Sequence, residues 1–337
     1  MNMRFNKSNL RILIPCVALA ALFLASLIYG AVRIPVGDVL SILTGTFEGK
    51  ATWQSIVLQS RLPQAITAVV AGAGLAVSGL MLQTLFRNPL AGPSILGISD
   101  GANLGVAIAM IYLSVSSYLS IIASAFIGAG CVLLLIIRFS AKVKSNVMLL
   151  IIGIMIGYLA SSVISILNYR ASADKVHQYV MWGMGDFSGV SLDKLPCFAA
   201  VAGSGLLMAV LLIKPLNALL LGETYAANLG INIRRARILI LFCTGILAAT
   251  VTAFCGPVSF IGLAVPHIAR LTTGTSNHNR LVPVTILTGA CIALLCNLLT
   301  ILPGSNQVLP LGAITPIICA PVIIYVIVNR RNIHYFN

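Results

Sequence analysis

The sequence predicts an all-α, polytopic membrane protein of about ten transmembrane helices arranged as two inverted-repeat halves. Three observations carry this. First, 59% of the 337 residues are apolar and only 8% are charged, with a mean hydropathy of +1.03. A soluble domain carries about 25% charge, which excludes a soluble enzyme, and a disordered chain needs low hydrophobicity. Second, charge-free stretches long enough to cross a bilayer recur along the chain. Third, one Gly/Pro-rich segment is echoed by another about half a chain later.

A spanning helix needs about 20 apolar residues. Residues 12–32, between Arg11 and Arg33, supply the first. They are too long for a signal-peptide core and lack a small-x-small cleavage site before Arg33, so they read as an uncleaved helix. Residues 62–86 lie between Arg61 and Arg87. Beyond Arg87 the breakers of NPLAGPSILGISDGANLG lead into apolar sequence up to Ile137. The polar SVSSYLS (114–120) divides it into spans three (about 93–113) and four (about 119–137). Span five is 146–168, span six 195–213, and span seven runs from Ile238 to about Phe254. Residues 258–269 form a short eighth segment, and LPGSNQVLPLG (302–312) splits the charge-free run 281–329 into spans nine and ten.

Lys plus Arg total 21 against 7 acids, a net +14. In a soluble protein this excess would point to nucleic acid. In a chain this apolar it belongs at the cytoplasmic face, and no nucleic-acid partner is expected. With the N-terminus inside, 15 basic residues, among them Arg4, Lys144, Arg330 and Arg331, face the cytoplasm. Six (Arg33, Lys50, Arg61, Arg170, Lys175, Lys194) face out, as the positive-inside rule requires. Both termini are then cytoplasmic. The eighth segment is kept as a span because a re-entrant one would carry Arg270, Arg280, Arg330 and Arg331 outside.

Gly92-Pro93-Ser94-Ile95-Leu96-Gly97-Ile98 is echoed by Gly256-Pro257-Val258-Ser259-Phe260-Ile261-Gly262-Leu263, with one residue inserted. Five spans separate the copies, so they point in opposite directions. Paired Gly/Pro-broken segments in inverted halves mark a transport pathway; chance likeness of Gly/Pro turns is the competing reading. The eight cysteines contain no CxxC and sit mostly in or beside apolar runs, so they read as small hydrophobes rather than metal ligands or disulfides.

No phosphate-cradling loop is present. Lys50 follows a glycine, but position 44 is Thr and position 51 Ala. There is no HExxH, and Asp100 is the sole acid inside a span. An ion-coupled carrier usually buries several ionisable groups, so Asp100 reads as a helix-terminus residue, with a coupling site as the alternative. An intramembrane enzyme would need clustered side chains, and His267 and Asp100 are isolated in sequence. No catalytic, metal or cofactor site is expected, and the energy source is a separate protein.

The inner segment 214–237 is where such a protein would dock. LGETYAANLGINIRRAR reads as a short amphipathic helix, with Glu223 in its first turn, ended by Gly230. Ala226, Ala227 and Gly230 at helical spacing offer a small-residue face to another backbone; a solvated connector is the other reading.

These features together resemble the iron-siderophore, haem and cobalamin uptake permeases of binding-protein-dependent ABC importers, the FecCD-type family, over nearly the whole chain. RLP at 61–63, GAGLAVSG (72–79), Gln83 and RNPLAGPSILGISDGA (87–102) carry the likeness, the last most specifically. LGETYAANLGINIRRAR, GPVSFIGLAVPHIAR (256–270) and LP at 309–310 with Gly312, Thr315 and Pro316 extend it. The resemblance implies one transmembrane permease domain over 1–337, in the bacterial cytoplasmic (inner) membrane, working as a homodimer with the pathway on its axis. It also implies two ATP-binding cassette ATPase copies below and an extracytoplasmic substrate-binding protein outside. The coupling residues would be Gly222, Glu223, Ala226, Ala227 and Gly230. Pathway and gating residues would be Gln83, Arg87, Asn88, Pro89, Gly97, Gly256, Pro257, Gly262 and Pro266. Arg61 would meet the binding protein. Four positions depart from the family pattern: Gln64, Asn297 and Ile301 replace expected charges, and Val308 stands where the family has Glu.

Overall fold

The computed structural model describes residues 7–115, 117–143, 145–301 and 308–328. Arg4, Lys144, Arg330 and Arg331, used above to orient the chain, lie outside the described residues, as does most of the 302–312 break. Among the described residues the structure is helical, apart from loops and one isolated antiparallel bridge between Ile301 and Val308.

Helix α1 (Lys7–Ile28) is followed by the short α2 (Val36–Thr44). Next, α3 (Ala51–Ser55) passes through a π-helical turn at Ile56–Arg61 into α4 (Leu62–Phe86), a continuous rod of 36 residues. Span two therefore begins well before Arg61, because that guanidinium is hydrogen-bonded to carbonyls inside the fold rather than ending the helix. Helix α5 (Ile98–Ala107) continues through Tyr112, and α6 (Tyr118–Ser140) and α7 (Asn146–Arg170) follow. The polar stretch after span five contains α8 (Ala173–Gly183). Helix α9 (Leu195–Leu211) bends by 51° into α10 (Ile213–Leu220), so the first part of the basic inner segment is helix rather than loop. Then come α11 (Glu223–Asn228), α12 (Ile233–Cys255), α13 (Ile261–Thr273), α14 (His278–Leu299) and α15 (Leu311–Val328).

Among the described residues, five helices are long and apolar enough to cross a membrane: the Ala51–Phe86 rod, α6, α7, α12 and α14. The bent α9–α10 pair makes a sixth, and Leu13–Ile28, Ile98–Tyr112 and Leu311–Val326 are shorter apolar helices. The expected eighth span is the 13-residue α13, which at ~1.5 Å per residue falls well short of a hydrocarbon core of about 30 Å. Both echo segments thus give short helices, and both begin later than expected, at Ile98 and Ile261. Each is led in by non-helical chain and starts after a left-handed residue, Gly97 (φ 73°) or Phe260 (φ 66°).

The two halves pack alike. Helix α4 lies against α13 and α14, and its counterpart α12 lies against α5 and α6. Helix α5 packs on α6 and α7, as α13 packs on α14 and α15. The most apolar windows of the α3–α4 rod and α12 are 83% and 78% buried, against 33% for α6 and 28% for α7, so the first two form the centre and the last two the perimeter.

With no hydrophobic drive between helices in lipid, small residues that permit backbone contact take over. At Gly79 a Cβ would lie 1.6 Å from the carbonyl oxygen of Gly262, so α4 and α13 touch backbone to backbone. Gly79→Val is expected to destabilise the fold by at least the ~1–3 kcal/mol typical of overpacking, lowering the melting temperature in detergent. Gly130→Val, where a Cβ meets nothing within 4 Å, should leave that temperature unchanged.

Candidate functional site

The C-terminal end of α4 is built to stop. Arg87 takes the left-handed conformation (φ 47°), and its N–H and that of Asn88 donate to the carbonyls of Thr84 and Gln83. This is a Schellman cap, and Pro89 follows where the helix cannot continue. Asn88 then turns the chain by accepting the Leu90 N–H at its Oδ1, 3.0 Å away. RNP is therefore a helix stop written in three residues.

Side chains from the other half satisfy the exposed backbone. Gln83, fully buried, donates through Nε2 to the carbonyl of Leu263 (3.1 Å) and accepts from Arg270 Nη1 (2.6 Å). His267 Nε2 lies 2.9 Å from the carbonyl of Pro89, which can only accept, so that nitrogen carries the proton. The ring of His278 sits between Thr84 Oγ1 (2.9 Å) and Asn217 Oδ1 (3.0 Å). Asn217 Oδ1 also accepts the His278 backbone N–H, which fixes the amide's orientation. Asn217 belongs to α10, so this bridge ties the inner segment to α4 and α14.

The echo segments meet each other. A Cβ on Gly262 would lie 3.0 Å from Pro93 Cδ, and one on Gly92 would lie 3.9 Å from a methyl of Leu263. Gly97 packs against Gly153 of α7, and Gly256 against Trp182 in α8 and Gly185 just after it. Pro266 sits buried within α13, and Pro257 is half-buried beside Gly185. Of the expected pathway residues, Gln83, Pro89, Gly262 and the neighbour of Pro266 thus come together with the end of α4. Gly97, Gly256 and Pro257 lie apart from them, against α7 and the α8 loop.

The inner segment differs from its expected form. Helix α11 has six residues and follows Gly222 (φ 107°), close to the Arg87 guanidinium (3.6 Å from a Cβ on Gly222). Ala226 is fully buried and does not belong to an exposed face; Ala227 and Gly230 are exposed. The exposed apolar residues are Leu221, Tyr225 and Leu229, four apart. Glu223 is paired with Arg237 at 2.7 Å. Sequence reasoning missed Asn217, Thr84, Arg237 and the role of Arg270; the available signal was a polar side chain interrupting an apolar run.

Arg61 is turned inward. Its Nη1 donates to the carbonyls of Leu27 and Ile28 at 2.8 Å each, and its Nη2 donates to that of Val32. The residue is 6% exposed, a placement that does not suit an outward docking charge. It instead caps the C-terminus of α1, where orphan carbonyls and the helix dipole favour a cation. Lys175 does the same at the end of the α5 rod, donating to Ile111 O (3.1 Å) and Ser114 Oγ (2.6 Å). Asp100 occupies the first turn of α5, its carboxylate over Gly157 of α7. The nearby Tyr179 hydroxyl is pushed up to about 12 by burial and, secondarily, by the charge of Asp100.

The four departures from the family pattern fall into two pairs. Gln64 Nε2 donates to Asn297 Oδ1 at 3.0 Å, and Ile301 and Val308 face each other across the isolated bridge. Five cysteines are buried, while Cys16, Cys131 and Cys197 are exposed.

Short broken helices crossing at the junction of two like halves, with a capped inner segment, define a membrane transport permease. The comparisons agree. The chain belongs to the FecCD transport family, whose model matches residues 18–329. It is 34% identical over 309 residues to the vitamin B12 import system permease protein BtuC of Klebsiella pneumoniae, covering 91% of this chain and 90% of that one. It is 33% identical over 294 residues to the hemin transport system permease protein HmuU of Yersinia pestis, covering 86% and 87%. A solved metal-chelate type ABC transporter in an inward-facing conformation superposes with a TM-score of 0.83 at 30% identity, over 95% of this chain and 98% of that one. This chain is a multi-pass membrane permease of the ABC-importer class.

Arg61→Met is expected to destabilise the folded protein by about 1.5–3 kcal/mol per lost charged hydrogen bond. It should lower the melting temperature of the isolated subunit in detergent. A change confined to binding-protein affinity, with stability intact, would contradict the capping role.

Proposed function

We propose that the chain is the pathway-forming subunit of a binding-protein-dependent importer for iron chelates (siderophore or haem) or cobalamin, in the bacterial inner membrane with both termini cytoplasmic. It works as a homodimer, with α7 at the perimeter facing its copy or lipid. Two ATPase copies engage it from below, and a substrate-binding protein delivers cargo outside. The chain itself hydrolyses nothing. The relatives' names, for vitamin B12 and hemin, support this range of cargo.

The observation that carries the reading is α11. Six residues cannot hold a helix alone, yet the sequence keeps one here between left-handed Gly222 and Gly230, with Leu221, Tyr225 and Leu229 exposed. Such a knob suits a groove on another protein. ATP-driven movement of that groove would tilt α11. The tilt would reach α4 and α14 through Asn217 and His278, and shift the crossing of the broken segments around Gln83, Pro89, Gly262 and Pro266. This biases a two-state permease by a partner.

The test is reconstitution in proteoliposomes with the cognate ATPase and binding protein. Uptake should require both partners and ATP. Uptake driven by an ion gradient with the permease alone, lost in Asp100→Asn, would overturn the reading. Leu229→Asp, or Gly230→Trp, should reduce ATPase co-purification at least about tenfold, as for an interface hot spot, measured by pull-down from detergent.

A further inference from the structure

One guanidinium joins three elements at the inner surface. Arg237, four residues into α12, donates through Nη2 to Glu223 Oε1 at 2.7 Å. Its Nη1 donates to the carbonyl of Ser140 at 3.3 Å. Ser140 is the last residue of α6, where free carbonyls and the negative end of the helix dipole favour a cation. The Arg237 side chain is 12% exposed and that of Glu223 is 41% exposed. The two wall a cleft of about 400 Å³ with Ala141, Val143, Ile233 and Ile238.

Glu223 stands in the first turn of α11, where its carboxylate would be expected to meet the helix's own N–H groups or an outside partner. It makes no such cap and reaches Arg237 instead. Helix α11 is too short to set its own direction. Its attitude depends on what holds it: buried Ala226, the Gly222 hinge beside Arg87, and this ion pair. Downstream, α6 packs on α5 through Gly128 against Gly101 and Gly105, and α12 packs on α4, α5 and α6. A push on α11 thus has a direct polar route to α6, and from α6 to the first broken segment.

We propose that Arg237 is a positioning residue that makes α11 move as one body with the inner ends of α6 and α12, so that it links partner motion to the pathway without touching the partner. This rests on the reading that α11 meets the ATPase, and deepens it. Arginine suits the task because its planar fork addresses a carboxylate and a carbonyl at once, whereas a lysine offers a single point charge.

The test uses the full complex in proteoliposomes, with uptake and ATP hydrolysis measured on the same preparation. Arg237→Gln should lower uptake per ATP hydrolysed about tenfold, the change that one hydrogen bond to a charged group is worth, while the ATPase still co-purifies. Arg237→Lys should fall between that variant and the parent. The swap Glu223→Arg with Arg237→Glu, which restores the pair but not the Ser140 contact, should recover part of the ratio. An unchanged ratio in Arg237→Gln overturns the proposal. Loss of ATPase co-purification in that variant also overturns it, because Arg237 would then belong to the docking surface. The docking reading fails separately, if Leu229→Asp leaves co-purification intact. Should the Arg237→Gln subunit alone aggregate in detergent and so fail to fold, Arg237→Lys decides instead: a parental ratio there counts against the proposal.

Discussion

Backbone N–H and carbonyl groups have no water to turn to in a hydrocarbon core, so each one at a helix break must find a partner inside the protein. The rest of this structure follows from that requirement. Several breaks are answered by side chains from elsewhere, and that at the end of α4 by the backbone N–H groups of Arg87 and Asn88. Gln83 takes the Leu263 carbonyl and His267 takes the Pro89 carbonyl. Arg61 and Lys175 take the carbonyls that end α1 and the α5 rod. Arg237 takes the one that ends α6.

This requirement explains why the halves interlock. A broken segment capped within its own half could slide free of the other. Here Gln83 of the first half caps the second, and His267 of the second caps the first. Backbone contact at Gly79 and Gly262 then fixes the spacing. The two caps cross where the halves are in closest backbone contact. Away from them, α10 and α11 hang from a 51° bend and two left-handed glycines.

Much of this could be read before any coordinates. Apolar run lengths gave the order of spans, since burial in lipid leaves few other meanings for twenty uncharged residues. The Gly/Pro echo gave the two short helices, because such residues break a helix wherever they fall. What escaped was direction. Arg61 bounds a charge-free run in the sequence as any loop arginine would, yet its guanidinium folds back on α1. Ala226 looked like part of an open face because spacing alone does not say which side of a six-residue helix faces home. The capping partners were equally hidden: Gln83 and Arg270 are 187 residues apart, and no local pattern joins them.

The paired departures carry a consequence of their own. An amide holding an amide at positions 64 and 297, and a valine facing an isoleucine at 308 and 301, carry no charge for acid or salt to alter. Ions and protons therefore have no charge to act on at these four places. Whatever these contacts hold together stays equally firm in brine, in fresh water and in an acidified medium.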